Sequence, residues 1–204
     1  MNDGTKYGKL IQRSEDFDYP EIHQTHGKGL NIIDNKLVEG LNCNLYFSHW
    51  VVPAGFQIDP DVGHPPHVHR ENELLFCIGT NPEDPYDLGG TFEISFGEEM
   101  EKHIVTRSCV ICIPGGTVHG LYIVHETHRP WLFIRCHEAD HRSELNRPDL
   151  LTPEQLASIQ HWDIWESVDW DPAEVEYYKN KAKEKAEKYR AEHPDFKFDE
   201  TSMK

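Results

Sequence analysis

Between Gly29 and Cys136 the chain is broken every few residues by glycine or proline, and the runs between the breaks are short and rich in β-branched and aromatic residues. Thr91-Phe-Glu-Ile-Ser-Phe96 alternates apolar and polar side chains, the period of a strand with one buried face. Asn72 to Gly79, His103 to Ile113, Leu121 to His125 and Trp131 to Cys136 read as further strands, the second as one strand or two. Asn31-Ile-Ile33 and Leu37-Val38 flank a turn at Asp34-Asn35, and Asn42 to Val52 carries Tyr46, Phe47, Trp50 and Val51. The segment from Pro53 to Pro66 holds four prolines and reads as a loop whose end starts a strand before His67. Asn81 to Gly90, with Pro82, Pro85, Gly89 and Gly90, is expected to be a second loop. Gly97 to Glu101 reads as a hairpin turn and Pro114 to Thr117 as a tight one. Many short strands joined by such turns close into a mainly β barrel or sandwich.

The two ends have a different character. Residues 1–25 are polar and without period, an N-terminal arm. The β region fills 26–149. Beyond 150 the signals are helical: Thr152-Pro-Glu-Gln155 offers an N-cap, a proline in the first turn and a glutamine at the capping-box position. Asp171-Pro-Ala-Glu174 repeats the start signal. Val175, Tyr178, Ala182, Ala186 and Tyr189 then form one apolar stripe at helical spacing. The segment 150–204 is therefore expected to be a C-terminal helical extension packed on the barrel or on a partner subunit. Trp162, Trp165 and Trp170 suit a docked segment.

Charge narrows the function. Asp and Glu outnumber Lys and Arg by 36 to 20, a net −16 with histidine neutral. Such a surface repels phosphate backbones and anionic headgroups, which argues against nucleic-acid and membrane partners. No apolar run approaches the roughly 18 residues of a spanning helix, and Met1 to Arg13 has no signal-peptide core. A cytoplasmic protein is expected. The five cysteines, an odd and scattered set, do not form a disulfide framework. Cys109 and Cys112 are a C-x-x-C, but three residues apart on a strand face opposite ways, so reduced cysteines in a sheet are the plain reading.

Two stretches carry chemistry. His67-Val-His69 followed by Glu73 reads H-x-H-x-x-x-E. Two histidines at strand period two present both imidazoles to one side, and a short turn lets Glu73, at the head of the next strand, reach the same point. Further on, Pro114-Gly-Gly-Thr-Val-His119 ends a glycine turn on a third histidine. Three imidazoles and a carboxylate suit a first-row divalent metal. Glu71 shares the strand parity of Glu73 and is an alternative ligand or proton carrier, though an exposed loop carboxylate is the plainer expectation. His64 is a candidate neighbour of the site. His103, His125, His128, His137 and His141 read as surface or satisfied histidines.

The two stretches resemble the paired motifs of the cupins, G-(x)5-H-x-H-(x)3-4-E-(x)6-G and G-(x)5-P-x-G-(x)2-H-(x)3-N. His67, His69, Glu73 and His119 match position by position. Asp61 stands where the first motif opens on glycine, and Gly79 follows Glu73 one residue early. Ser108 and Ile123 stand at the ends of the second motif. The resemblance covers about Gly55 to Cys136. It implies a jelly-roll β-barrel with one divalent transition metal (Mn, Fe, Ni, Co or Zn) near its mouth, a small-molecule ligand or substrate, and a homodimer. An enzyme acting on a small oxygen-rich molecule by Lewis-acid and proton-transfer chemistry follows, with Glu73, Glu71 or His64 moving the proton. An Fe(II) dioxygenase and a non-catalytic binding barrel are the alternatives. Arg135, Phe133 and Tyr122 are candidate pocket residues. An inward Arg135 would clamp a carboxylate, while an outward one paired with a surface acid is the plainer expectation. Arg70 and Arg107 are further candidates.

Overall fold

The computed structural model describes residues 6–7, 28–33, 44–51, 65–159 and 167–196, with backbone alone for 28–33 and 44–51. Most of the arm 1–25, the turn at Asp34-Asn35 with Leu37-Val38 after it, His64, Trp162 and Trp165 lie outside the described residues.

Ten described strands form two five-stranded sheets. They are β1 (Lys28–Ile33), β2 (Asn44–Val51), β3 (His67–Val68), β4 (Glu73–Gly79), β5 (Asp87–Phe96), β6 (Glu101–Arg107), β7 (Cys109–Ile113), β8 (His119–Thr127), β9 (Trp131–His137) and β10 (Leu145–Asn146). One sheet runs β1-β2-β9-β4-β7 and the other β10-β3-β8-β5-β6. Apart from the hairpins β1–β2 and β5–β6, each step along the chain passes from one sheet to the other. This is a jelly-roll barrel, the fold that the motifs imply.

Alternation drives the sheets together. Along β4, Glu73, Leu75 and Cys77 are buried while Leu74, Phe76 and Ile78 are not. The inward residues Leu75, Cys77, Leu88, Phe92, Ile94, Tyr122, Val124, Trp131 and Phe133 share one core between the sheets. Each large side chain fully buried there contributes about 1.5–3 kcal/mol.

The run His103 to Ile113 is two strands. It breaks at Ser108, whose hydroxyl donates to the Pro85 carbonyl at 2.8 Å and accepts from Gly79 N at 2.9 Å. The loop expected over 81–90 is shorter, because β5 begins at Asp87 and takes in both glycines. These glycines serve close approach rather than a turn. A Cβ on Gly90 would lie 2.5 Å from the Glu126 carbonyl oxygen, and one on Gly89 2.7 Å from that of Arg129.

Among the described residues two α-helices follow, α1 (Pro153–Ser158) and α2 (Pro172–Glu192). The capping box at α1 is complete: Thr152 Oγ1 accepts from Gln155 N at 3.2 Å, and Gln155 Oε1 accepts from Thr152 N at 2.9 Å. Asp171 caps α2 through Ala173 N at 2.9 Å. Ala182 and Ala186 of the apolar stripe pack with Leu151, Leu156 and Ile159, against Leu121 of β8. Val175, Tyr178 and Trp170 pack against Val68, Val118 and Leu145 of the barrel. Asp149, its side chain fully buried, accepts from Arg147 Nε and Lys181 Nζ, both at 2.9 Å. The Arg147 guanidinium also lies 4.0 Å from the Tyr178 ring centroid.

Candidate metal centre

The site is assembled across the two sheets. His67 of β3 is register-paired with His119 of β8, so two imidazoles come from one sheet side by side. His69 follows one residue after β3. Glu73 opens β4 in the facing sheet, where it is register-paired with His137 at the end of β9. The sequence places Glu73 on the strand after His67, and in the fold these strands belong to opposite sheets. His67, His69, Glu73 and His119 are all buried, and one ligand atom from each lies within 4.8 Å of the others.

Glycines fix this geometry. Gly116, at φ 83°, makes the turn before His119, and its amide donates to the His69 carbonyl at 2.7 Å. That bond joins the two motif stretches directly. Gly120, at φ 131°, lets β8 approach β3, since a Cβ there would sit 3.1 Å from Pro66 Cα and 3.4 Å from His67 Nδ1.

Hydrogen bonds set the tautomers. His67 Nδ1 lies 2.9 Å from the Pro65 carbonyl, His69 Nδ1 2.5 Å from that of Ser143, and His119 Nδ1 2.9 Å from that of Thr117. A carbonyl oxygen only accepts, so each Nδ1 donates its proton. In the neutral ring, Nε2 then carries the lone pair, the atom that could hold a metal. His119 Nε2 and Glu73 Oε2 stand 2.8 Å apart, both buried. With His119 neutral, these are two acceptors face to face. Such an arrangement calls for a cation.

The electrostatics agree. Burial pushes the Glu73 carboxyl up, but the imidazoles of His119, His137 and His69 around it more than reverse this, so that it stays ionised, lowered to about 2. Burial lowers His69 despite the opposing pull of Glu73. Tyr122, buried beside the histidines with its ring 6.2 Å from that of His67, is pushed well above the usual phenol range by burial and by Glu73.

Three sequence expectations need correction or extension. Glu71 is no exposed loop carboxylate: its side chain is 6% exposed and accepts from Ser143 N at 2.9 Å and Ser143 Oγ at 2.7 Å. Burial raises its carboxyl, and these two bonds more than reverse that. Arg135 points inward rather than out. It lies two residues from each of the buried Phe133 and His137 on β9 and so shares their inward face, and the Glu73 charge acts on it. Arg70 and Arg107 do face outward, over Trp170 and Tyr86. His137 is the residue that sequence reading missed. It is buried, its ring packs edge-on to His69 with centroids 4.4 Å apart, and it lies 3.6 Å from both Glu73 Oε1 and Glu71 Oε1. Burial chiefly drives its pKa down to about 4. His69, Glu71 and His137 form a second group of ligand-type atoms within 4.8 Å of one another. The available signal was strand parity along β9, but parity alone does not give the register that sets His137 opposite Glu73. His103, His125, His128 and His141 are exposed, as expected. Phe133 belongs to the core, packed tilted against Phe92 and edge-on against Tyr122 and Trp131.

No family model matches the sequence, and no curated protein does. Solved structures do match. One is an oxalate oxidase in complex with the substrate analogue glycolate, 12% identical over 93% of this chain and 84% of that one, with a TM-score of 0.45. Another is an uncharacterised protein with a double-stranded β-helix domain from Klebsiella pneumoniae, 12% identical over 66% and 93%, with a TM-score of 0.39. A third is a cupin protein from Bacteroides fragilis, 13% identical over 63% and 86%, with a TM-score of 0.37. The chain resembles the cupins in both its motifs and the two-sheet barrel that brings those motifs together.

Proposed function

We propose that the chain is a divalent-metal-dependent enzyme acting on a small oxygen-rich molecule, with His67, His69, Glu73 and His119 holding the ion. The observation that carries this reading is the set of three Nδ1–H bonds to backbone carbonyls. They leave Nε2 lone pairs around a buried carboxylate that has no proton to share. A 3-His, 1-carboxylate donor set fits Mn, Fe, Co, Ni or Zn. When bound, such an ion supplies Lewis acidity to a substrate oxygen.

The chain's own residues supply the rest. Arg135, on the inward side of β9, gives the interior a fixed cation that suits a substrate carboxylate. Tyr122 keeps its proton and is able to donate it in a hydrogen bond. Phe92, Phe133 and Trp131 wall the interior and exclude water. Glu71, held ionised by Ser143, accepts rather than donates a proton at Oε1. His64 remains a proposed proton carrier.

The test uses the full chain loaded with Mn(II), titrated with a 2-hydroxy acid, a 2-oxo acid and a neutral vicinal diol. Water-proton relaxation follows displacement of metal-bound water, and NMR follows consumption of each compound. The acids should displace water in the wild type and bind about tenfold more weakly to Arg135→Gln, with Mn(II) affinity unchanged. Equal binding by both proteins removes Arg135 from the reading. Binding without consumption of any compound favours a binding barrel.

We also propose a cytoplasmic homodimer. The outward face of β4, β7 and β9 supports self-association: Leu74, Phe76, Ile78, Val110, Leu132 and Ile134 lie there in register, all at least partly exposed. No helix among the described residues is long and apolar enough to cross a membrane.

A further inference from the structure

Cys77 and Cys109 are register partners on neighbouring antiparallel strands, β4 and β7. Directly opposed residues point to the same face, and both thiols face the core. Paired antiparallel positions have Cα atoms about 4.5–5.5 Å apart, inside the roughly 4.4–6.8 Å window a disulfide needs. The pair differs in access. Cys77 is fully buried, while Cys109 is half-buried at the first position of β7, the last strand of its described sheet. The register is pinned beside them by the Ser108 hydroxyl, bonded to Gly79 N and to the Pro85 carbonyl.

We infer that Cys77 and Cys109 form a dithiol that hydroperoxides oxidise to a cross-strand disulfide. Cys109 is the attacking thiol and Cys77 the resolving one. The Cys109 thiolate attacks one oxygen of the hydroperoxide, the O–O bond breaks, and the departing oxygen leaves as an alcohol after taking up a proton. Cys109 is then a sulfenic acid. The Cys77 sulfur attacks the Cys109 sulfur, the S–O bond breaks, and the hydroxyl leaves with the Cys77 proton as water. Two thiols are oxidised, and one hydroperoxide becomes one alcohol and one water.

The acidities suit these roles. The hydrogen bond from Cys77 brings the Cys109 thiol down to about 7, and the same bond and burial push Cys77 well up. The site is separate from the metal centre. Glu73 pairs with Ile113 at one end of β4, and Cys77 lies four residues along, about 13 Å at strand rise.

The test treats the full chain with a small excess of hydrogen peroxide and counts thiols after denaturation. The count should fall from the five cysteines of the sequence to three, with peptide mapping joining the Cys77 and Cys109 peptides and dithiothreitol restoring all five. Cys109→Ser should keep its four remaining thiols. Cys77→Ala should instead accumulate a sulfenic acid at Cys109 that dimedone traps. Five thiols after treatment, a bridge between other cysteines, or loss of two thiols in Cys109→Ser would each overturn the inference. Cys109→Ser, at a half-buried position, keeps the test decisive if Cys77→Ala does not fold.

Discussion

His137 lies between two carboxylates, yet burial holds it neutral, with its pKa lowered from 6.5 to about 4. The unfolded chain therefore takes up a proton there before the folded one does. Stability contributed by this group is complete above the unfolded value and is lost as pH falls from about 6.5 toward 4, at about 1.4 kcal/mol per unit. Chemical denaturation of metal-free protein at several pH values should show this slope, shallower by about one proton in His137→Gln. An unchanged slope in the variant would place the proton elsewhere. Glycine sets a second residue-scale test. A Cβ on Gly115 would lie 2.1 Å from the Arg70 carbonyl oxygen, a backbone clash beside His69, whereas one on Gly116 meets nothing within 4 Å. Gly115→Ala should lose both thermal stability and metal binding. Gly116→Ala should cost only the left-handed backbone penalty, about 1–2 kcal/mol, and keep the metal. His67 and His69 could be named with little more than strand parity, because H-x-H is a local signal. Glu71, Arg135 and His137 could not be placed, since whether each faces in or out depends on strands far away in sequence.

At the scale of elements, the helix starts were the most legible features. A Thr or Asp cap followed by proline acts within one turn, so sequence alone suffices at Thr152 and Asp171. Strand β10 and the start of β5 were not legible. Two residues have no measurable period, and the glycines of β5 read as breakers until Glu126 and Arg129 are seen against them. Asp149, which appears in no motif, adds an ion pair to the docking of α2 through Lys181. Removing its carboxylate leaves Arg147 buried with only the exposed Glu98 as acidic partner. Asp149→Ala should cost about 3 kcal/mol, the low end for breaking a buried pair because Glu98 remains. Urea denaturation measures this, and a loss under about 1 kcal/mol would show that the pair does not hold the helix.

At the scale of the molecule, turns and short strands announce a barrel, but not which strands share a sheet. The strands of His67 and Glu73 follow one another in sequence, yet the fold places them on facing sheets, with His119 beside His67, which is why the four side chains surround a point. The C-terminal segment covers Val68, Val118, Leu145 and Leu121 of the barrel. Deleting 150–204 should therefore expose apolar surface and give an aggregating protein, and a soluble, monodisperse truncation would contradict this docking. The metal itself is tested by elemental analysis of protein purified without affinity tag or chelator, beside the His67→Ala, His119→Ala double variant. The wild type should hold about one equivalent of a divalent transition metal and the variant none. A wild type that holds no metal, even after reconstitution with Mn, Fe, Co, Ni and Zn in turn, would contradict the proposed metal site.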